Sequence, residues 1–237
     1  VKSQMTRANQ TALPFTHYKE MEKLARLLGD NTLLTVALTY AGDMLQRGGK
    51  VEGAIAYLEE AQAITDPVDI SARGNAIQLL GRAYFKAKRF SDFERAMKES
   101  EEIAYAPAVV GSETSVKGQF NAGTVYEEYA RSLGLLGQLN TAMDYIDKAE
   151  KAFEKAWSNQ RRDVLMSTAK AMVLVHGGEI RAGVEVAVEA TELCKQAGNI
   201  RLLDRMYGLQ RYLDNLSREI GNTGAILRTA LDGPLEY

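Results

Sequence analysis

The sequence predicts an all-α chain of stacked helical hairpins, and three observations predict it. A template of apolar and small residues at helical spacing recurs four times, its two key small positions keep one separation, and strand-like alternation is absent. The template is clearest as Leu38-x2-Ala41-Gly42-x2-Leu45, the pair Gly48-Gly49, then Ala54-x3-Leu58-x2-Ala61. Two amphipathic helices meet at Gly42 and Ala54, where small side chains let the backbones approach while Leu38, Leu45 and Leu58 fill the surrounding space. A hairpin this small cannot bury its apolar face alone, so it requires neighbours of its own kind.

Those neighbours follow in order. The second copy is Ile77-x2-Leu80-Gly81-x2-Tyr84 with Phe93-x3-Met97-x2-Ser100, and the third is Tyr126-x2-Tyr129-Ala130-x2-Leu133, Gly137, then Ala142-x3-Ile146-x2-Ala149. A weaker fourth is Ala171-x2-Leu174, Gly178, then Gly183-x3-Ala187-x2-Ala190. From the key residue of each first helix to that of the second the offset is twelve: 42 to 54, 81 to 93, 130 to 142 and 171 to 183. The copies themselves lie 39, 49 and 41 residues apart, so the variable length sits between hairpins.

Taken element by element, Val1 to Leu13 is polar and weakly periodic, which predicts a frayed or partly helical lead. Pro14 and Thr16 start a helix whose apolar stripe is Tyr18, Met21, Leu24, Ala25 and Leu28, ended by Gly29-Asp30-Asn31. This segment, 1–31, reads as the second helix of a preceding hairpin, and the initial Val reads as the start of an excised piece. The first full hairpin, 32–68, stops at Asp66-Pro67, where proline cannot continue a helix. The second, 70–106, turns at Lys88-Arg89-Phe90 and restarts on Ser91-x-x-Glu94, the pattern of a capping box. Ala106-Pro107 to Ser115 is the longest irregular segment; it reads equally as a loop over a binding groove or as a linker with the next helix starting early. Hairpins at 116–157 and 160–198 turn at Gly137-Gln138 and Gly177-Gly178. The remainder, 199–237, carries Leu202, Leu203, Met206, Leu209, Leu213, Leu216 and Ile220 on one helix and closes with Ala225 to Leu231 as a cap, the whole chain forming one repeat domain.

The motif residues just given resemble the tetratricopeptide repeat, a helix-turn-helix repeat of about 34 residues. The resemblance covers roughly residues 15 to 232. It departs from the family in having no repeat Trp, in placing Phe93 and Ser100 where small residues are usual, and in placing Ser167 and Lys170 at apolar positions of the fourth copy. Its uneven spacing is similar to the extended repeats of bacterial sensors and regulators. The resemblance implies a right-handed α-solenoid of about ten or eleven helices.

Composition removes several classes of function. A formal charge of −2 and a pI near 5.9 give no global attraction to nucleic acid or anionic lipid. No apolar run reaches the 18 or so residues of a membrane span. One cysteine, Cys194, excludes an intrachain disulfide and suits a reducing cytoplasm. His17 and His176 lie on different hairpins, Cys194 sits on a Leu-rich helix as a small core residue, and neither glycine pair belongs to a phosphate-binding pattern. His176 beside Gly177 reads as a cation at a helix C-terminus. The pairs Glu59-Glu60, Glu101-Glu102 and Glu127-Glu128 read as solvated helix surface. No catalytic, metal or cofactor constellation is expected, and the protein is not expected to be an enzyme.

In the family that the motifs resemble, the outward side of each first helix lines a concave groove that binds extended peptides or protein segments. The matching positions are Val36, Thr39, Asp43, Gln46 and Arg47; Asn75, Gln78, Arg82, Phe85 and Lys86; and Thr124, Glu127, Arg131 and Leu135. Asn75, Gln78, Arg82 and Lys86 follow at spacings of three, four and four, a continuous polar stripe. Amides can hydrogen-bond any peptide backbone, and guanidinium or ammonium groups can hold a carboxylate. If the superhelix curves as the family does, Arg47 and Arg131 bring four cations to one groove. The expected function is therefore binding of a protein or peptide, with an acidic or C-terminal carboxylate segment as partner. The alternative is a ligand-sensing or dimerisation part of a bacterial helix-turn-helix transcription regulator or signalling ATPase, and a homodimer stays open under either reading.

Overall fold

The computed structural model describes residues 2–64, 68–110, 120–154, 159–220 and 223–233. The described residues form helices and short joints with no strand: α1 Lys2–Leu28, α2 Asn31–Arg47, α3 Val51–Ala63, α4 Ile70–Lys86, α5 Phe90–Ala104, α6 Pro107–Val110, α7 Ala122–Leu135, α8 Leu139–Phe153, α9 Asn159–His176, α10 Ile180–Gln196, α11 Ile200–Ile220 and α12 Thr223–Asp232. All but the single turn α6 have ten residues or more. The fold is all-α, with consecutive helices packed on one another. It divides into two units, residues 1–125 and 126–237, the boundary falling inside α7. No helix among the described residues is long and apolar enough to cross a membrane.

One turn explains the constant offset. Each first helix ends seven residues after its contact position in a residue with left-handed backbone: Gly49 (φ 81°), Lys88 (61°), Gly137 (73°) and Gly178 (96°). The next amide then donates back to the carbonyl five residues earlier, Lys50 to Leu45, Arg89 to Tyr84, Gln138 to Leu133 and Glu179 to Leu174, at 2.9 to 3.0 Å. This closes the last helical turn in the Schellman manner and satisfies a carbonyl that the helix itself leaves open. The residue that donates is already the N-cap of the following helix, which leaves no slack between contact and turn.

The same geometry corrects the expected capping box. With Arg89 as N-cap, Ser91 is the second residue of α5, and no side chain caps that helix. Side-chain caps occur instead at first helices, where Asp30 Oδ1 accepts from Leu33 N–H at 2.8 Å and Asp69 Oδ1 from Ala72 N–H at 2.9 Å. A reciprocal pair opens α7: Asn121 Oδ1 accepts from Thr124 N–H and Thr124 Oγ1 from Asn121 N–H, both at 3.1 Å.

Two further expectations are corrected. Helix α1 runs from Lys2 through Pro14 without a break, and its predicted stripe is only partly interior. Ala25 is buried, but Leu24 and Leu28 are 56% and 73% exposed, because Glu22 faces inward between Lys19 and Arg26. The segment after Ala106 begins with a helical turn, Pro107–Val110, and the rest of the loop expected to 115 lies outside the described residues, as do Asp66-Pro67 and Gly221-Asn222.

Small residues hold the helices together. A Cβ at Gly42 would lie 2.7 Å from Leu58 Cγ, and one at Gly81 would lie 2.9 Å from Met97 Sδ. Ala130 and Ala171 are completely buried at the corresponding positions. In the first unit the sequence reading missed Phe120, fully buried against Gly74, where a Cβ would lie 2.3 Å from the ring. In the second, Ala171, Val175, Val184, Ala187, Ala190, Met206, Leu209, Leu213, Leu227 and Leu231 form one cluster. Lys195, 4% exposed, donates to the carbonyls of Ala230 at 2.5 Å and Gly233 at 2.9 Å, capping the end of α12 with a cation. Cys194 is fully buried, and burial raises its thiol above the ordinary range, the behaviour of an inert core sulfur.

Candidate functional site

In the first unit the positions singled out in the sequence fall on α2, α4 and the first turn of α7. Thr39 is turned into its own helix, its Oγ1 donating to the Thr35 carbonyl at 2.6 Å. Asn75 and Gln78 are buried. Gln78 Nε2 donates to the Thr124 carbonyl at 2.9 Å and its Oε1 accepts from Thr124 Oγ1 at 3.1 Å, so this amide ties α4 to the first turn of α7. Phe85 packs edge-on against Phe90 and Phe93, with centroids 5.7 and 5.2 Å away. Val36 is half-buried, whereas Arg47 and Lys86 lie at the exposed ends of their helices. The stripe is therefore polar but mostly interior.

Its centre is a cross-helix cluster. Asp43, whose side chain is 5% exposed, accepts from Arg47 Nη2 at 2.6 Å on its own helix and from Arg82 Nη2 on α4. Arg82 Nε donates to Gln46 Oε1 at 2.7 Å. The Gln46 Nε2 amide is buried and has no hydrogen-bond partner. A buried donor left open costs about 1 to 3 kcal/mol, which makes this amide the feature of the cluster that calls for an acceptor.

In the second unit, Glu127 and Arg131 lie one turn apart on α7; Glu127 is buried and the Arg131 side chain is 10% exposed. Arg131 Nη2 also meets Glu128 at 2.6 Å, and Arg205 Nη1, from α11, meets Glu127 at 2.7 Å. Burial alone would raise the Glu127 carboxyl, but the Arg131 and Arg205 charges and hydrogen bonds overcome it and hold the group at about 2. Burial likewise opposes the Arg131 charge, and Glu127 and Glu128 outweigh it. The expectation that Glu127-Glu128 is solvated surface is thus corrected: both are under 5% exposed, paired with arginines. Leu135 is 48% exposed.

The reading of His176 is corrected as well. Its ring packs on Tyr212 with centroids 4.4 Å apart, and burial lowers its pKa, so the side chain is neutral at pH 7. No group of three or more His, Cys, Asp or Glu side chains able to hold a metal is present among the described residues. Sequence reasoning did not foresee Arg205, 78 positions from Glu127, or the pairing of Asp43 with Arg82 across 39 positions. Neither a family model, nor a curated protein, nor a solved structure matches the chain.

Proposed function

We propose that the chain is a non-enzymatic binding protein of the tetratricopeptide-repeat kind, a right-handed helical solenoid that takes a protein or peptide segment on the α2–α4 face of its first unit. The observation that carries this reading is the Gln46 amide, a buried donor without an acceptor held beside Arg82 by the 2.7 Å bond to its own Oε1. The neighbouring guanidiniums of Arg47 and Arg82 favour a partner bearing carboxylates, from acidic side chains or a free C-terminus. The single buried thiol suits a reducing cytoplasm.

The test is a peptide array compared at low and high salt. Peptides rich in Asp and Glu should be retained at low ionic strength and released as salt rises, since partly exposed charges are screened over about 8 Å at physiological strength. Arg82→Ala should weaken that binding by roughly 1.5 to 3 kcal/mol, the range for hydrogen bonds to charged groups. Because Asp43 keeps Arg47, the substitution should leave the protein folded. Equal retention of Lys-rich and Glu-rich peptides, with Arg82→Ala unchanged, would remove the proposal.

A further inference from the structure

Two guanidiniums share one buried carboxylate in the α2–α4 cluster, and beside them lies a buried amide that the carboxylate does not satisfy. From this we infer that Asp43 is an internal competitor for the acidic partner: its carboxylate holds the Arg82 guanidinium that a ligand carboxylate takes on binding. The inference rests on the partner reading above and adds a built-in brake to it.

The exchange is feasible because neither charge is stranded. When Arg82 turns to a ligand, Asp43 retains Arg47, whose Nη2 is 2.6 Å and whose Nε is 2.8 Å from Asp43 Oδ2. A buried carboxylate that lost its only cation would forbid such a step, since an uncompensated buried charge is strongly destabilising. Here the carboxylate has a second one on its own helix. The incoming group also gains something Asp43 does not provide. A carboxylate has two oxygens and about four acceptor sites, enough to accept from Arg82 with one and from the open Gln46 Nε2 donor with the other. Arg82 Nε already fixes the Gln46 amide through its oxygen, so guanidinium and amide nitrogen are presented as neighbours. The brake consequently selects for a negatively charged acceptor and against a neutral hydroxyl or carbonyl, whose hydrogen bonds to the guanidinium are too weak to displace the Asp43 carboxylate.

A fluorescein-labelled tetra-glutamate peptide is the probe, titrated by anisotropy at low ionic strength into the wild-type chain and into Asp43→Asn. Removing the competing charge should tighten binding about tenfold, which corresponds to about 1.4 kcal/mol. Asp144→Asn, the same charge change on an exposed position of α8, should change little, and adding Gln46→Ala to Asp43→Asn should erase the gain. Binding by the wild type that Asp43→Asn leaves equal or weaker overturns the brake while keeping the acidic partner. Failure of tetra-glutamate to bind either protein overturns both. Should Asp43→Asn not fold, the wild type decides by nitrogen-15 NMR. Tetra-glutamate should move the Arg82 Nε–H resonance well before that of Arg47, and the reverse order refutes the exchange.

Discussion

Replacing Glu127 by Gln tests the buried charge cluster of the second unit with almost no change of shape. Glu127 accepts from Arg131 and Arg205 and is itself 4% exposed, so the variant leaves two guanidiniums facing a neutral amide. Breaking a buried pair by removing one partner costs about 3 to 5 kcal/mol. Arg131 keeps Glu128 at 2.6 Å, which places the expected loss near 3 kcal/mol, and at about 2 to 4 °C per kcal/mol for a chain of this size the melting point should fall by roughly 6 to 12 °C. The loss must also depend on pH in one direction. The folded carboxyl sits at about 2, against an ordinary value of 4.5. Its contribution is therefore complete above about pH 5 and disappears as the pH falls towards 2, because only the unfolded chain takes up the proton in that window. Urea denaturation followed by circular dichroism at a series of pH values should show the Glu127→Gln deficit shrinking on acidification. A deficit below about 0.5 kcal/mol at neutral pH, the scatter of an ordinary surface substitution, would refute the reasoning. So would a deficit that ignores pH.

Other substitutions probe the hairpin contacts. Gly81→Leu should overpack the contact with Met97 and cost about 1 to 3 kcal/mol or more, measured by thermal melting. Gly183→Ala should cost more than Gly42→Ala: the added carbon at 183 meets the backbone nitrogen of Val175 at 2.8 Å, whereas at 42 its nearest neighbour is the movable side chain of Leu58. An equal or smaller loss at 183 would show that α9 shifts freely. Lys88→Gly should stabilise the protein by about 0.5 to 1 kcal/mol, the strain of a left-handed side-chain residue less the entropy glycine loses on folding. A destabilised Lys88→Gly would mean that the side chain holds the turn by contacts stronger than that strain.

The helical hairpins were legible because their determinants are local. A glycine or alanine at the contact and a left-handed residue seven positions later recur within fifty residues of one another, and helical spacing exposes both. The glycines announced three of the four turns, and Lys88 hid the fourth only in residue type. The capping box at Ser91 was misread because the N-cap is fixed by the preceding turn, a backbone event that side-chain patterns do not report. Pairings across units of sequence were illegible for a different reason. Arg82 and Asp43 each read as groove positions open to a ligand until two helices are placed side by side, and nothing near position 127 indicates that Arg205 will arrive there. The same applies to Gly74, whose missing side chain is intelligible only once Phe120 fills the space.

The turn geometry decides where this chain can change length. Between Gly42 and Ala54, and at the three matching stretches, every residue from the contact through the reversal to the opposite contact is committed. One added residue there rotates everything beyond it by about 100° and turns a packed edge towards water. The joints after α3, α6 and α8 differ in length along the chain, whereas those at Gly29 and Gly198 close by the same left-handed turn as the hairpins. Insertions, tags and permuted termini should therefore be accepted at the three joints of variable length and rejected inside the hairpins.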